Sequence, residues 1–334
     1  MEKNEKEKPL SQLLSKGGIF LEKTKKRKWR RIVLTVLTLF LAAFAGYLYH
    51  IYHSFSKTME SMHQPIRKVS EKREEEVRLE KVDPFSVLLL GVDQRKNDRG
   101  RSDTIIVMTV NPEKKSVEMV SIPRDTRTEI VGKGIEDKIN HAYAYGGVEM
   151  AIDTVENFLD IPIDYFIQIN MEGFKEIVDA VGGITIDNDF AFTYEGEHFP
   201  AGKITLNGEQ ALKYSRMRYE DPRGDFGRQE RQRKIIEQVI KEGASFSTLA
   251  RYGDIFQALG KNVRTNLTFS EMVSIQKNYK QAAENIHQHQ IQGQGKMIDR
   301  IYYYIVPEAE RQKLQTLLKE HLELKQNNVS MIGK

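Results

Sequence analysis

The run IVLTVLTLFLAAFAGYLYHIY, from Ile32 to Tyr52, holds 21 consecutive residues without a formally charged side chain. A helix that spans a bilayer needs ~20 predominantly apolar residues, so this run constrains everything around it. It follows directly on KTKKRKWRR, where seven of the nine residues from Lys23 to Arg31 are Lys or Arg. The positive-inside rule then places the N-terminus in the cytoplasm and the residues after about Tyr52 outside. The expectation is a single-pass protein of the cell membrane with an extracellular domain. A cleaved signal peptide is the competing reading, but His50, Tyr52 and His53 stand where a small-x-small cleavage site would close it.

This segmentation changes the meaning of the net charge. Residues 1–31 carry 11 Lys/Arg against 4 Glu, which leaves 40 basic and 43 acidic residues in the rest of the 334-residue chain. The exported part is slightly acidic, which argues against a nucleic-acid partner. No cysteine is present, so a disulfide framework, a thiolate metal site and a cysteine nucleophile are excluded. The expected organisation is a basic tail over 1–31, a transmembrane helix over 32–52 and a polar stalk over 53–83. A folded domain over 84–324 and a tail over 325–334 follow.

Within that domain SVLLLGVD (86–93), TIIVMTV (104–110) and SVEMVSI (116–122) are short apolar runs rich in β-branched residues, with NPEKK as a hairpin link between the last two. As an antiparallel meander they bring Asp93, Arg101, Asp103 and Arg124 to one end of a sheet. A helix over 146–161, a strand over 164–170, a helix over 171–182 and a strand over 183–189 continue an alternating pattern, which predicts helices on both faces of a sheet. The segments 248–263, 269–279 and 307–324 read as helical, and the Gln-rich stretch Ala283 to Lys296 reads as a surface loop.

The stretch YSRMRYEDPRGDFGRQERQ packs five arginines into nineteen residues. Asn207 is a plausible cap for a helix that ends near Arg216 and Arg218, and Asp225 for a second helix. Arg228, Arg231 and Gln232 share one face of that second helix by i, i+3, i+4 spacing. They sit in its first turns, where orphan N–H groups already favour an anion. Arg231 either joins such a site or pairs with a neighbouring acid. Arg223 reads as an exposed loop charge, and His141 as structural. Lys138 and Asn140 stand either as ligands or as residues orienting the next helix.

Taken in order, LLLGVD, RSDT (101–104), SIPRDT (121–126), KINHAYAYGG (138–147), LNGEQALKYSRMR (206–218) and GDFGRQERQ (224–232) resemble the motif series of LytR-CpsA-Psr domains. The resemblance covers Pro84 to about Leu324. It implies an α/β fold, an α-β-α sandwich around a mixed central sheet with a lipid-holding pocket. It implies a phosphotransferase that moves an anionic glycopolymer, such as wall teichoic acid, from a polyprenyl-pyrophosphate carrier in the membrane lipid to the muramic acid 6-hydroxyl of peptidoglycan. On matching positions, Asp93 and Asp103 resemble carboxylates associated with Mg²⁺ (or Mn²⁺), and either is a candidate base. Arg101, Arg124, Arg216, Arg218, Arg228 and Gln232 resemble the pyrophosphate clamp, with Arg124 and Arg228 expected to act in catalysis. A polyprenyl-pyrophosphate hydrolase and a non-catalytic polymer-binding regulator remain as alternatives.

Overall fold

The structure, a computed structural model, describes residues 29–47, 49, 53, 62–66, 70–93, 100–245, 260 and 262–324. Helix α1, Trp29–Tyr47, is long and apolar enough to cross a membrane, and its apolar side chains face outward. Its two threonine hydroxyls are satisfied within the helix: Thr35 Oγ1 donates to the Arg31 carbonyl at 2.9 Å and Thr38 Oγ1 to the Leu34 carbonyl at 2.7 Å, the kind of internal bonding an apolar surround would require. The C-terminal part of the expected 32–52 span, and the 325–334 tail, lie outside the described residues. Residues 1–54 and 55–334 form separate compact units.

The second unit is organised by a six-stranded mixed sheet. Its first three strands, β1 (Phe85–Asp93), β2 (Arg101–Asn111) and β3 (Ser116–Ser121), form the expected antiparallel meander. After the hairpins β4 (Arg127–Ile130) with β5 (Ile135–Lys138), the chain forms α2 (His141–Leu159) and returns as β6 (Tyr165–Ile169), parallel to β1. The sheet order is β11-β6-β1-β2-β3-β12, with β11 (Val263–Thr265) and β12 (Ile286–Gln290) at the edges.

The apolar runs are continuous because both faces of the sheet are covered. Leu88, Leu90, Ile105, Val107 and Val120 pack with Val148, Ile152 and Val155 of α2, and with Leu314 and Leu318 of α7 (Glu308–His321). The alternate residues Val87, Leu89, Ile106, Met108 and Met119 face the other way. There they join Ile236 and Ile240 of α5 (Asp225–Ser245) and Met272 and Ile275 of α6 (Phe269–Asn278). The expected α-β-α sandwich is therefore present. A smaller core unites α3 (Met171–Ala180), α4 (Gly208–Arg216) and the pair β7 (Ile184–Asn188) with β10 (Gly202–Leu206), next to the hairpin β8 (Phe192–Tyr194) with β9 (Glu197–Phe199).

Five expectations need correction. The strand over 183–189 forms, as β7, but pairs only with β10 and stays out of the main sheet. The helix expected over 146–161 begins at His141 and is interrupted at Gly147, whose φ of 73° only glycine adopts without strain. The polar stretch Ala283 to Lys296 is not a loop. It contains β12, whose IHQHQ residues pair in parallel with β3, and most of β13 (Gln294–Ile298), which pairs with β14 (Ile301–Ile305). An edge strand needs only one neighbour and tolerates polar side chains, so its apolar signal is weak. Val263, the last residue of the helical segment expected over 248–263, instead opens strand β11, Val263–Thr265; most of that segment lies outside the described residues.

The stalk is the fifth case. Met62 is buried, and Gln64 N donates to the Thr265 carbonyl at 2.8 Å. Arg73 binds Asp164 through two bonds, 2.7 and 2.8 Å, and Leu79 is buried in the sheet core. The second half of the expected stalk is thus built into the domain.

Candidate functional site

The site begins with an irregularity in the β1–β2 ladder. Gly91 faces Thr104, but the next partners are Val92 with Ser102 and Asp93 with Arg101, so Asp103 is an extra residue on β2. A bulge of this kind re-aims side chains and is common beside active sites. It also explains Gly91: a Cβ there would lie 2.9 Å from Thr104 Cβ.

Asp103 is the residue so displayed. Its Oδ1 accepts from Arg124 Nη1 at 3.0 Å and from Asn140 Nδ2 at 3.5 Å. Arg124 sits just past β3, and its main-chain carbonyl accepts from Asn140 N at 3.3 Å, which ties that loop to the start of α2. Burial opposes the Arg124 charge, but Asp103, Asp225 and Asp125 outweigh it and hold the guanidinium pKa above its ordinary value. Asn140 occupies the cap position of α2 yet makes no side-chain cap bond, so its amide serves Asp103 instead. Lys138 Nζ binds Asp125 Oδ1 at 2.7 Å, one residue along from Arg124.

The second wall is the start of α5. Asp225, expected as a cap, is the first helical residue, and it acts as a hub. Its Oδ1 lies 2.7 Å from Arg228 Nη2 and 3.9 Å from Arg218 Nε, while its Oδ2 accepts from Gln229 Nε2 at 2.9 Å. Burial depresses the Arg228 pKa, and the neighbouring charges of Arg124 and Arg218 push the same way against Asp225 and Asp103. Three arginines and two aspartates thus share one field. Gln229 and Gln232 face Asp103, Ser121 and Arg124 across a narrow cleft.

Two buried polar atoms of residues that line the cleft lack a hydrogen-bond partner, Ser121 Oγ and Gln229 Oε1, and so do Ser102 Oγ, Asn140 Oδ1 and Arg228 Nε on residues next to or bonded to the site. Buried polar atoms are normally paired, so a concentration of exceptions marks a place built for another molecule's polar groups.

Not every expected residue converges. Arg101 pairs with Asp93 across the ladder and is exposed. Arg216, at the end of α4, lies 3.4 Å from Glu195 Oε1. Arg231 does not face the cleft with Gln232. Its Nη1 binds Asp221 Oδ2 at 2.6 Å, its Nη2 the Met217 carbonyl at 2.5 Å, and its guanidinium lies over the rings of Phe192 and Tyr214. Asp221 is itself wholly buried. Burial would raise its pKa, but bonds from Arg223 and Arg231 outweigh that and lower it to about 2. Arg223 is an ion-pair residue rather than a bare loop charge, bonded to Asp221 and Glu230. The hub role of Asp225 escaped the sequence reading, although its place in GDFGRQERQ was the available signal.

The LytR_cpsA_psr family profile matches residues 49–320. A protein of Bacillus subtilis (strain 168), named polyisoprenyl-teichoic acid--peptidoglycan teichoic acid transferase TagU, is 54% identical over 266 residues, covering 80% of this chain and 87% of its own. The crystal structure of B. subtilis TagU is 52% identical, with a TM-score of 0.60 over 73% of this chain and 98% of that one. TagT bound to LI-WTA is 30% identical, with a TM-score of 0.67 over 78% of this chain and 99% of that one. With the profile spanning well over half of its length, the chain belongs to the LytR_cpsA_psr family.

Proposed function

We propose that this chain transfers an anionic glycopolymer of the wall teichoic acid class from a polyprenyl-pyrophosphate carrier to peptidoglycan. The observation that carries the reading is the identity to TagU, 54% over 266 residues, together with an arginine cluster of the right chemistry. Breaking a phosphoanhydride spreads negative charge over the phosphoryl oxygens and the leaving phosphate, and stabilising that charge is most of the catalysis. Arg124, Arg218 and Arg228 would hold these oxygens, with Gln232 at the rim; Arg101 and Arg216 would meet more distal groups. The buried atoms around Asp103 would complete their hydrogen bonds on the substrate.

These residue types would suit a divalent cation such as Mg²⁺: Asp93 and Asp103 would supply carboxylates, and Asn140 Oδ1, which lacks a hydrogen-bond partner, a hard amide oxygen. Mg²⁺ often takes one or two carboxylates plus substrate phosphates, and when bound it would neutralise phosphate charge. Asp93 or Asp103 would then accept the proton of the acceptor hydroxyl if not itself committed to the ion.

Helix α1 fits an anchor that keeps the domain near a carrier confined to the bilayer, with the basic tail inside and the domain outside. A hydrolase reading uses the same clamp and differs only in the acceptor. Deleting the gene should lower wall-bound phosphate, and restoring the wild-type chain should recover it; unchanged wall phosphate in a strain lacking related family members would reject the reading.

A further inference from the structure

A second polar cluster lies beside the clamp and has no part in it. Asp137 Oδ2 accepts from His141 Nδ1 and from Tyr145 Oη, each at 2.7 Å, and Asp137 Oδ1 accepts from Lys138 N at 2.8 Å and from Tyr303 Oη at 3.4 Å. Facing a carboxylate oxygen, His141 Nδ1 is the donor of that bond, which fixes the orientation of the ring. The rings of His141 and Tyr145 meet edge-on, 6.0 Å apart, and Tyr145 keeps 40% of its surface in solvent. The frame beneath is rigid: Thr126 bridges to Tyr304, Tyr304 N donates to the Asp125 carbonyl at 2.8 Å, and the Tyr304 ring packs on Phe226 of α5. Asp137 and the clamp residue Arg124 therefore lie on one short stretch of chain, with Asn140 between α2 and Asp103.

We propose that Tyr145, His141, Asp137 and Tyr303 form a subsite for a sugar ring of the acceptor glycan. The inference rests on the transferase reading and names where its acceptor docks. A pyranose offers an apolar C–H face and a rim of hydroxyls; an exposed tyrosine ring fits the first, and a carboxylate with an oriented imidazole fits the second. The centre of the cluster is a carboxylate, Arg127 is engaged with Glu136 and Lys138 with Asp125, and Lys133 Nζ lies 5.2 Å from the centroid of the Tyr145 ring, over one face. That leaves the other face of the ring for a pyranose, with the Asp137 carboxylate and the His141 imidazole placed to meet its hydroxyls and the Lys133 ammonium placed to meet an acidic substituent of the sugar.

The test uses the full-length protein in detergent and a tetrasaccharide of alternating N-acetylglucosamine and N-acetylmuramic acid, with binding followed by saturation-transfer NMR without donor. Tyr145→Ala should weaken saccharide binding about tenfold, the loss expected of one aromatic contact with its buried area, while Tyr145→Phe keeps most of it. A soluble pyrophosphate-lipid analogue should bind both variants as it binds wild type. Undiminished saccharide binding by Tyr145→Ala overturns the proposal, as does an equal loss of analogue binding, which would make Tyr145 a support of the clamp. So does a Tyr145-dependent site for glycerol-phosphate oligomers instead. If the saccharide binds through Tyr145 but is never a substrate, the subsite stands and the transferase reading falls.

Discussion

Arg124 Nη1 donates to Asp103 Oδ1 at 3.0 Å, which joins the loop after β3 to the bulged residue of β2. The pair keeps a cation and an anion poised at one end of the sheet, and Asp225 does the same for Arg228 and Arg218 on the facing helix. If these arginines hold the substrate's phosphates as proposed, they are already in place before it arrives, and little rearrangement would be needed when charge develops on it.

Removing either arginine should therefore strike activity far more than folding. Arg124→Ala and Arg228→Ala should each lower kcat/KM by roughly ten- to a hundredfold or more, the worth of one charge-assisted contact plus its transition-state share. Thermal melts should stay within a few degrees of wild type. Wild-type turnover of a lipid-pyrophosphate substrate by either variant removes that residue from the clamp.

If Asp93 and Asp103 hold Mg²⁺ together with substrate phosphates, the ion should bind weakly to the protein alone and more tightly when pyrophosphate is present. Calorimetry of both titrations decides this. Tight binding without phosphate, or transfer unaffected by a chelator, contradicts it.

The contacts of residues 62–83 bear on where the domain can be cut. A chain beginning at Pro84 loses Met62 and Leu79 from buried positions and the two-bonded Arg73–Asp164 pair. Burial of two such side chains is worth about 3–6 kcal/mol, which predicts a fall in Tm on the order of 10 °C. A chain beginning before Met62 should melt as the whole chain after α1 does. Equal melting of the two truncations would show that the segment packs without stabilising.

Why this was not legible in the sequence is physical. Residues 53–83 are charge-dense, and a few apolar positions docking on a neighbouring surface make no periodic pattern. The same holds for β12, where IHQHQ is carried by ladder bonds to β3. The apolar runs of β1 to β3, by contrast, are buried on both faces and so declare themselves. The cap at Asn207 was equally plain, and the structure shows its reciprocal bonds with Gln210. Sequence spacing placed Arg228, Arg231 and Gln232 on one side of α5. It could not show that Asp221, buried beneath, draws Arg231 to itself. Nor could alternation reveal the bulge at Asp103, since one inserted residue changes the facing of a side chain without changing composition.

A buried histidine supplies a pH effect distinct from the site. His321 Nδ1 and Nε2 bond to Thr109 Oγ1 at 2.7 Å and Ser116 Oγ at 2.9 Å, and burial lowers its pKa to about 4. A depressed folded-state pKa means the unfolded chain binds the proton first, so this contribution is present above about pH 6.5 and is lost as pH falls toward 4. The loss reaches roughly 3 kcal/mol at the acid end. His321→Gln should be less stable at pH 7 but show a shallower fall in Tm between pH 7 and 4. Parallel Tm curves for the variant and wild type would contradict the assignment.

The central claim is tested most directly by incubating the purified full-length protein, in detergent, with a polyprenyl-pyrophosphate-linked teichoic acid precursor and a peptidoglycan oligosaccharide, then weighing the products by mass spectrometry. The account predicts a saccharide joined to the polymer through one phosphodiester, with polyprenyl monophosphate released in equal amount. Release of free polymer phosphate with no saccharide adduct would contradict it and make the protein a hydrolase.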